Sequence, residues 1–471
     1  MKQSEVYSDL KKSLKHDPTE DQDHALQLLS SFILERDIRK AFVLRGYAGT
    51  GKTTLMSTLP KVLLKYNRKV KFLAPTGRAA KVLSLSTKRR AYTIHKHIYT
   101  PTTKGGKMNF VLKENEASNT LFVIDEASMI GEDLGITRGQ SLLEDLISFV
   151  QDGVACNLLF VGDIAQLPPV GERVSAALSK AKLEAGYNLE VTQFELKQVV
   201  RQAQDSGILA NATYLRNLLP KAPYEHLSLQ RKEDFLKLEA AYELEDFLTD
   251  SFLHHRDDSV ILTRTNKRSN QFNQDIRSRI LQHEGELAAG EILMAVKNNY
   301  HWLDAKSQAG FIANGDLMEV KRIVKTEEKY GYKFATVEVA FLDYPGMPDT
   351  ELIIWLDALH VDAASLPYKE TEKLYQQVSE EEGGKGGHAY KRLMKIRNHP
   401  YLNAVQVKYA YAVTCHKAQG GQWKRVFIEK GYLPNSDLDL EYLRWLYTAF
   451  TRASEQIYLI GFGDEFFTEQ A

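Results

Sequence analysis

Four residues near the start of the chain have the types and the spacing of a phosphate-binding loop. Gly46, Gly51, Lys52 and Thr53 fit the pattern G-x-x-x-x-G-K-[ST]. In this pattern the glycines let successive backbone N–H groups face the phosphates. The lysine reaches the outer phosphates and the threonine hydroxyl ligates Mg2+. The chemistry expected here is therefore binding and hydrolysis of a nucleoside triphosphate.

The residues on either side predict that this loop joins a strand to a helix. Residues 40–44 are apolar and indicate a buried strand, and apolar residues recur at helical spacing up to Pro60. A helix that begins at the loop adds its positive N-terminal end to the phosphate site. The candidate nucleotide-binding residues are Gly46, Ala48, Gly49, Thr50, Gly51, Lys52, Thr53 and Thr54.

Two later apolar runs end in polar residues that hydrolysis would need. Residues 120–124 are followed by Asp125 and Glu126, and residues 156–162 lead to Asp163 and Gln166. Open α/β sheets bind ligands at the carboxyl ends of their strands. We therefore expect Asp125 to ligate Mg2+ together with Thr53, Glu126 to polarise the attacking water, and Gln166 to contact the γ-phosphate. A simple helix N-cap is the alternative for Asp125.

Composition limits the class of protein. The chain has 471 residues, of which 43% are apolar, so several folded domains are expected. No apolar run approaches the length of a membrane span, and the charged N-terminus does not resemble a secretory signal. Two cysteines in unrelated contexts exclude a disulfide scaffold and a cysteine-rich zinc site. The expected location is the cytoplasm.

Charge is balanced overall but unevenly distributed. The 61 basic and 61 acidic side chains cancel, yet residues 38–113 contain 18 Lys and Arg and no acid. Residues 383–428 contain nine and again no acid. Two such spans suggest a path for a polyanion, because phosphate contacts supply most of the sequence-independent affinity for nucleic acids. Solvated surfaces with chance clustering remain the alternative.

The order of these motifs resembles that of superfamily 1 helicases, most closely the RecD/Dda/Pif branch, which translocates 5′ to 3′ on single-stranded DNA. Residues 19–26 resemble its Q motif, with Gln22 as the adenine reader. Residues 196–202 and 446–454 resemble the fourth and sixth motifs, with Arg201 and Arg452 as phosphate-binding arginines. An arginine supplied by a second domain would make hydrolysis depend on closure of the two domains. A salt bridge is the alternative for Arg452.

The resemblance also implies which residues touch DNA. Residues 74–83 and 93–99 look like the DNA-contacting motifs of the first core, and residues 411–423 look like the fifth motif. Core packing is the alternative for each histidine and aromatic residue among them. The implied DNA-binding residues are Pro75, Thr76, Arg78, Thr93, His95, Lys96, Phe110, Thr414 and His416.

The predicted fold is α/β, with two RecA-like parallel-sheet cores. Core 1 covers residues 1–200 and carries an inserted pin subdomain near residues 100–118. Core 2 covers residues 201–288 and 402–471. Residues 289–401 contain strand-like alternation that predicts a small β-barrel-like insertion, in which Asn314-Gly315 predicts a hairpin turn. The helicase resemblance implies that this insertion is an SH3-like domain. Residues 368–398 add a helical, glycine-interrupted excursion of no assigned role. In relatives the pin splits the duplex; a surface loop is the alternative here.

The expected function is that of an ATP-dependent DNA helicase that moves 5′ to 3′ and separates duplex DNA. Its cofactors would be ATP and Mg2+, and its partners single-stranded and forked duplex DNA, with no membrane partner and a monomer as the active form. A translocase without strand separation, an RNA helicase and an ATP-binding regulator are the alternatives. The pathway, whether repair, recombination or another, does not follow from the sequence.

Overall fold

The structure, a computed structural model, describes residues 2–104, 107–132, 140–200, 206–239, 241–304, 307–383, 389–433 and 438–468. Its strands are β1 (Lys40–Gly46), β2 (Lys69–Ala74), β3 (Ala91–Thr93), β4 (Tyr99–Lys104), β5 (Lys107–Leu112), β6 (Thr120–Ile124), β7 (Asn157–Gly162), β8 (Glu190–Leu196), β9 (Phe235–Leu238), β10 (Ser259–Thr263), β11 (Ile292–Ala295), β12 (Leu317–Lys329), β13 (Tyr332–Phe341), β14 (Thr350–Trp355), β15 (Val405–Tyr409), β16 (Ala412–Thr414), β17 (Trp423–Glu429) and β18 (Ala453–Ile460).

The helices are α1 (Gln3–Ser13), α2 (Glu20–Leu34), α3 (Lys52–Lys65), α4 (Gly77–Thr87), α5 (Ile94–Ile98), α6 (Leu142–Gln151), α7 (Lys180–Tyr187), α8 (Gly207–Leu218), α9 (Ala241–His254), α10 (Asn266–Asp275), α11 (Tyr368–Gly383), α12 (Ala389–Arg397), α13 (Cys415–Ala418) and α14 (Leu440–Phe450). Within the described residues, no helix is both long enough and apolar enough to cross a lipid bilayer.

Two parallel sheets form the centres of the molecule. The first has six strands in the order β3-β2-β6-β7-β1-β8, and the second has five in the order β16-β10-β17-β18-β9. Strands β6, β7 and β10 are buried along their whole length, as expected where helices cover both faces of a parallel sheet. These are the two RecA-like cores, and the predicted fold class is confirmed.

A closed five-stranded barrel, β11-β12-β13-β14-β15, lies between strands of the second sheet in the sequence. Its long hairpin β12-β13 turns at Tyr330 and Gly331, which have φ of +57° and +69°. The parallel pairing of β14 with β15 closes the barrel. Helices α11 and α12 pack on one side of it through apolar residues such as Leu374 and Ile396. Strands β4 and β5 form a separate antiparallel hairpin at the predicted pin.

The barrel contacts core 1 through a pair of buried carboxyl groups. Asp316 accepts a hydrogen bond from the Ala313 N–H (2.7 Å), and Asp343 lies 3.4 Å from the Lys81 ammonium group of α4. A Cβ atom built on Gly77, the first residue of α4, would lie 2.3 Å from Asp316 Oδ1. The close approach therefore requires glycine. Burial and the nearby charge of Asp343 raise the pKa of Asp316 well above its usual range.

Replacing this carboxyl group should change how stability depends on pH. A raised folded-state pKa gives stability that is complete below the unfolded pKa of about 4 and is lost as pH rises through the folded value. Asp316→Asn removes that loss, so its melting temperature should rise relative to the wild type between pH 5 and pH 8. Asp304→Asn, at an unburied position, is the control. A pH-independent difference for Asp316→Asn would contradict the prediction.

Candidate functional site

The glycine-rich loop lies between the end of β1 and the first turn of α3. Gly49 and Gly51 have φ of +74° and +83°, in the left-handed region that glycine tolerates best. Lys52 is the first residue of α3, and its Nζ donates to the carbonyl oxygens of Gly46 (2.7 Å) and Tyr47 (3.0 Å). The Thr53 side chain is exposed. The loop thus places an ammonium group and an open hydroxyl beside a helix N-terminus, as phosphate binding requires.

The carboxyl ends of three neighbouring strands meet beside this loop. β1 pairs with β7, with Arg45 opposite Gly162, and β7 pairs with β6, with Phe160 opposite Ile124. All three strands are parallel, so the residues that follow them share one edge of the sheet. The structure therefore brings together the loop, the Asp125-Glu126 pair and Asp163, as the sequence predicts.

The Asp125-Glu126 pair has an unusual backbone and a perturbed titration. Glu126 has φ of +51°, a conformation rare outside glycine and often found at functional sites, and its N–H donates to Asp125 Oδ1 at 2.9 Å. Burial, reinforced by the charge of Glu126, raises the pKa of Asp125 to about 7. A buried carboxyl group with a raised pKa, next to a second carboxyl group, is typical of sites that bind a cation or transfer a proton.

Gln166 lies in a segment that the second core holds in place. The side chain is 6% exposed, and within the described residues its Oε1 has no hydrogen-bond partner. The next residue is fixed from both sides: the Leu167 N–H donates to Thr448 Oγ1 (2.8 Å), and the Leu167 carbonyl accepts from Gln419 Nε2 (2.8 Å). A free amide oxygen on a clamped segment is suited to contact a ligand or an ordered water.

Gln22 uses both ends of its amide inside the protein. Its Nε2 donates to the Thr50 carbonyl (2.9 Å), and its Oε1 accepts from the Thr19 N–H at the start of α2 (3.2 Å). A Cβ atom on Gly51 would lie only 2.3 Å from that Nε2. In this structure the side chain supports the phosphate-binding loop, and contact with adenine would use the second N–H of its amide or the second lone pair of its oxygen.

The two roles of Gln22 can be separated by nucleotide selectivity. We expect Gln22→Ala to weaken ATP and GTP binding by the same factor, about fivefold, because the lost hydrogen bond holds the loop and not the base. Gln27→Ala on the same helix, whose amide bonds only Asp23 within the described residues, should leave both affinities unchanged. Isothermal titration measures both. Weaker ATP binding with unaltered GTP binding would assign Gln22 to adenine instead.

Of the two arginines predicted to bind phosphate, the structure describes only Arg452. Arg201 lies outside the described residues. Arg452 is 3% exposed and donates to the Thr448 carbonyl (3.1 Å), the Gly421 carbonyl (3.2 Å) and Thr451 Oγ1 (3.1 Å), all in the second core. None of these bonds involves the phosphate-binding loop, and the salt bridge considered as an alternative is not formed within the described residues. A role on the γ-phosphate would require the guanidinium to leave these partners.

The first DNA-contacting motif of core 1 lies against residues 420–423, at the end of the fifth motif of core 2. Thr76 caps the helix by accepting from the Ala79 N–H (3.2 Å), and a Cβ atom on Gly420 of the second core would lie 3.2 Å from its hydroxyl. The Arg78 guanidinium lies 3.7 Å from the Trp423 ring centre and donates to the Gln422 carbonyl (3.4 Å). The ring of Trp423 is therefore covered by an arginine and buried, in agreement with core packing, the alternative given above for the aromatic residues of these motifs.

The remaining predicted contacts of core 1 lie beneath the barrel. Thr93 caps α5 through the Lys96 N–H (3.2 Å), and Lys96 Nζ donates to the Ser307 (3.3 Å) and Gln308 (2.9 Å) carbonyls. Burial lowers the pKa of Lys96 to about 8 and that of His95 to about 4. Pro75 is half-buried immediately before α4. His95 is thus uncharged at neutral pH and adds no positive charge to this surface.

Phe110 connects the pin hairpin to the barrel side of the molecule. Its ring contacts Tyr99 (5.9 Å between centres) and, edge-on, Tyr300 (4.9 Å). Gly105 and Gly106, between β4 and β5 in the sequence, lie outside the described residues. In the second core, Thr414 precedes α13 and is 8% exposed, and burial lowers the pKa of His416. The DNA roles of these residues stay predictions.

A cavity of about 470 Å³ opens between α4 and the barrel. Its walls carry basic side chains from core 1 and aromatic rings from both sides, including Lys81, Arg90, Tyr92, Phe311 and Tyr344. The Arg90 guanidinium lies 5.0 Å from the Tyr92 ring centre. Positive charge combined with aromatic rings is typical of surfaces that bind single-stranded nucleic acids.

Sequence reasoning missed Tyr447, a second-core residue that forms a hydrogen bond with the nucleotide loop. Its hydroxyl accepts from the Ala48 N–H (2.9 Å) and donates to Asp163 Oδ2 (2.6 Å). The sequence pattern also gave no reason to select Asp316 or Asp343. A tyrosine inside an apolar helix carries no local signal for such a contact, because its partners lie hundreds of residues away.

Family models match two parts of the chain. An AAA domain matches residues 20–238, and a UvrD-like helicase C-terminal domain matches residues 409–460. The ATP-dependent DNA helicase dda of Enterobacteria phage T4 is 24% identical over 94% of this chain and 99% of that protein. The ATP-dependent RecD2 DNA helicase of Deinococcus radiodurans is 33% identical over 36% of this chain and 21% of its own length.

The chain is also similar to one protein of solved structure and to one longer relative. The Pif1 helicase from Bacteroides, in complex with ADP-AlF3 and single-stranded DNA, is 15% identical with a TM-score of 0.48, covering 97% of this chain and 95% of that one. The chain spans 38% of the length of an uncharacterized Methanocaldococcus jannaschii protein, to which it is 23% identical over 94% of its own residues. In its two matching domains, their order and its similarity to the dda and RecD2 helicases, the chain resembles superfamily 1 helicases of the RecD/Dda type.

Proposed function

We propose that this protein is an ATP-driven DNA helicase that translocates along one strand and separates the duplex ahead of it. The observation that carries the proposal is the docking of a second core on the nucleotide site of the first. Helix α14 contacts the phosphate-binding loop through Tyr447 and the Gln166 segment through Thr448. A change at the phosphates therefore acts directly on the position of core 2, which is the coupling that a stepping motor needs.

The oxygen donors at the loop fit Mg2+. A threonine hydroxyl and carboxylate oxygens are the hard ligands that this ion prefers, usually with several waters and substrate phosphates. Thr53 and Asp125 would hold it, and the ion would neutralise the charge that develops on the phosphates. Glu126 would orient and deprotonate the attacking water, while Lys52 and the loop N–H groups would bind the phosphate oxygens. Arg201 and Arg452 would complete the site when the cores close.

Single-stranded DNA would cross both cores along the residues already described. Thr76 and Arg78 lie against the loop 420–423 of core 2, so phosphates near α4 would be within reach of both cores. The basic and aromatic cavity beside the barrel would receive unpaired bases. We propose 5′ to 3′ movement, with the pin hairpin near Phe110 beside the fork and a monomer as the active form.

The test uses the full chain with Mg-ATP. ATP hydrolysis is measured with no polynucleotide, with single-stranded DNA and with single-stranded RNA, and unwinding is measured on duplexes with a 5′ or a 3′ tail. The proposal expects strong stimulation by DNA and unwinding only from the 5′ tail. Stimulation without unwinding would identify a translocase, and stimulation by RNA alone an RNA helicase. Hydrolysis that no polynucleotide alters would overturn the proposal.

A further inference from the structure

The hydroxyl of Tyr447 lies between the nucleotide loop and the end of β7. Tyr447 is 1% exposed, as is Asp163. The Ala48 N–H can only donate, so the phenolic oxygen accepts that bond (2.9 Å) and directs its own proton to Asp163 Oδ2 (2.6 Å). The second carboxylate oxygen, Oδ1, accepts from the Ala165 N–H (2.9 Å). The direction of each hydrogen bond in this series, from Ala48 through Tyr447 to Asp163, is therefore fixed.

This series of hydrogen bonds ends at Ala165, the residue before Gln166. The series connects the loop of core 1, a helix of core 2 and the segment that carries the amide oxygen of Gln166, which has no partner within the described residues. The neighbouring Thr448 holds the same segment through the Leu167 N–H. Two consecutive residues of α14 thus contact the nucleotide site, although Arg452, one turn further along, does not.

Ala48 belongs to a loop whose backbone N–H groups bind phosphate oxygens. One N–H group makes one strong hydrogen bond at a time. We infer that Tyr447 is a positioning residue that reports occupancy of the loop to core 2, because its hydroxyl and a nucleotide phosphate compete for the Ala48 N–H. The inference rests on the proposed function for the identity of the ligand. Nucleotide binding then releases one of the two hydrogen bonds of Tyr447 and loosens α14 from core 1.

Competition predicts a result that ordinary structural damage does not. Tyr447→Phe removes the competing acceptor, so ADP should bind about fivefold more tightly, the effect expected for one net hydrogen bond. The same change breaks the connection to core 2, so stimulation of ATP hydrolysis by single-stranded DNA should fall. A residue that only supports the loop would give the opposite sign, with weaker ADP binding.

The experiment measures binding of fluorescent ADP and DNA-stimulated hydrolysis on the full chain. The control is Tyr442→Phe on the same helix, whose hydroxyl donates only to the Lys430 carbonyl of core 2 within the described residues (3.3 Å). Control affinity and stimulation should match the wild type. Unchanged or weaker ADP binding by Tyr447→Phe would overturn the inference. Tyr447→Phe leaves the buried Asp163 carboxylate without its phenol partner, which could prevent folding. In that case the double variant Tyr447→Phe/Asp163→Asn removes this charge, and its ADP affinity is judged in the same way.

The two proposals can fail separately. Wild-type hydrolysis without any response to DNA would refute the helicase function, whereas tighter ADP binding by Tyr447→Phe would still support competition for the loop. Conversely, a DNA-stimulated wild type with no change in ADP affinity for the variant would refute the coupling role of Tyr447 alone.

Discussion

Lys52→Ala should abolish ATP hydrolysis while leaving DNA binding intact. The ammonium group of Lys52 lies over the loop, 2.7 Å from the Gly46 carbonyl, and within the described residues its recorded bonds go only to the loop. Removing one preorganised donor to a charge that develops during reaction costs about 100- to 1,000-fold in rate. Binding of single-stranded DNA, measured by fluorescence anisotropy, should persist because the predicted contacts to phosphates lie on α4, α5 and core 2.

Lys61→Ala is the matched control for this variant. Lys61 lies on the exposed side of the same helix, α3, so its removal changes the net charge equally without touching the loop. Hydrolysis by this control should equal that of the wild type. Undiminished hydrolysis by Lys52→Ala would show that the loop is not the catalytic nucleotide site.

Glu126→Gln should trap ATP without hydrolysing it. The side chain follows β6 at the edge shared with the loop, and the amide has nearly the same shape as the carboxylate but cannot accept a proton from water. Loss of a positioned general base typically costs about 100- to 10,000-fold. Single-turnover hydrolysis should therefore collapse, whereas binding of ATP should stay close to the wild-type value.

The control for the second variant is Glu245→Gln, an exposed position on α9. It should hydrolyse ATP at the wild-type rate. If Glu126→Gln hydrolyses ATP normally, another group activates the water, and the Asp125-Glu126 pair would be confined to holding the cation. If the variant loses ATP binding as well, the carboxylate contributes to the ground state and not only to the chemical step.

The parts of the site that lie close together in sequence could be predicted. The loop needs a fixed spacing of Gly46, Gly51 and Lys52, and this spacing is a consequence of its own backbone geometry. The same holds for Asp125 and Glu126, since the end of a buried parallel strand has a recognisable apolar pattern. Tyr447 could not be found in this way, because its partners Ala48 and Asp163 become neighbours only when the two cores dock.

Two local expectations differed from the structure for identifiable reasons. Helix α3 continues past Pro60 to Lys65, because apolar residues such as Val62 and Leu63 bury against the sheet and offset the one missing N–H. The hairpin of the barrel turns at Tyr330-Gly331 and not at Asn314-Gly315. Gly315 does have φ of +94°, but its turn lies in the connection that leads into β12. Turn chemistry was predicted correctly, whereas the strands that flank the turn were not.

The strand order of the second core has a consequence for how the protein is made. Strand β10 is fully buried, yet both of its neighbours, β16 and β17, come after the whole barrel in the sequence. During synthesis on the ribosome, core 1 can complete its sheet once β8 has emerged. Strand β10, in contrast, must wait with its backbone edges unpaired and its apolar side chains uncovered. The interval between the two events is when the nascent chain is most exposed to aggregation and most dependent on chaperones.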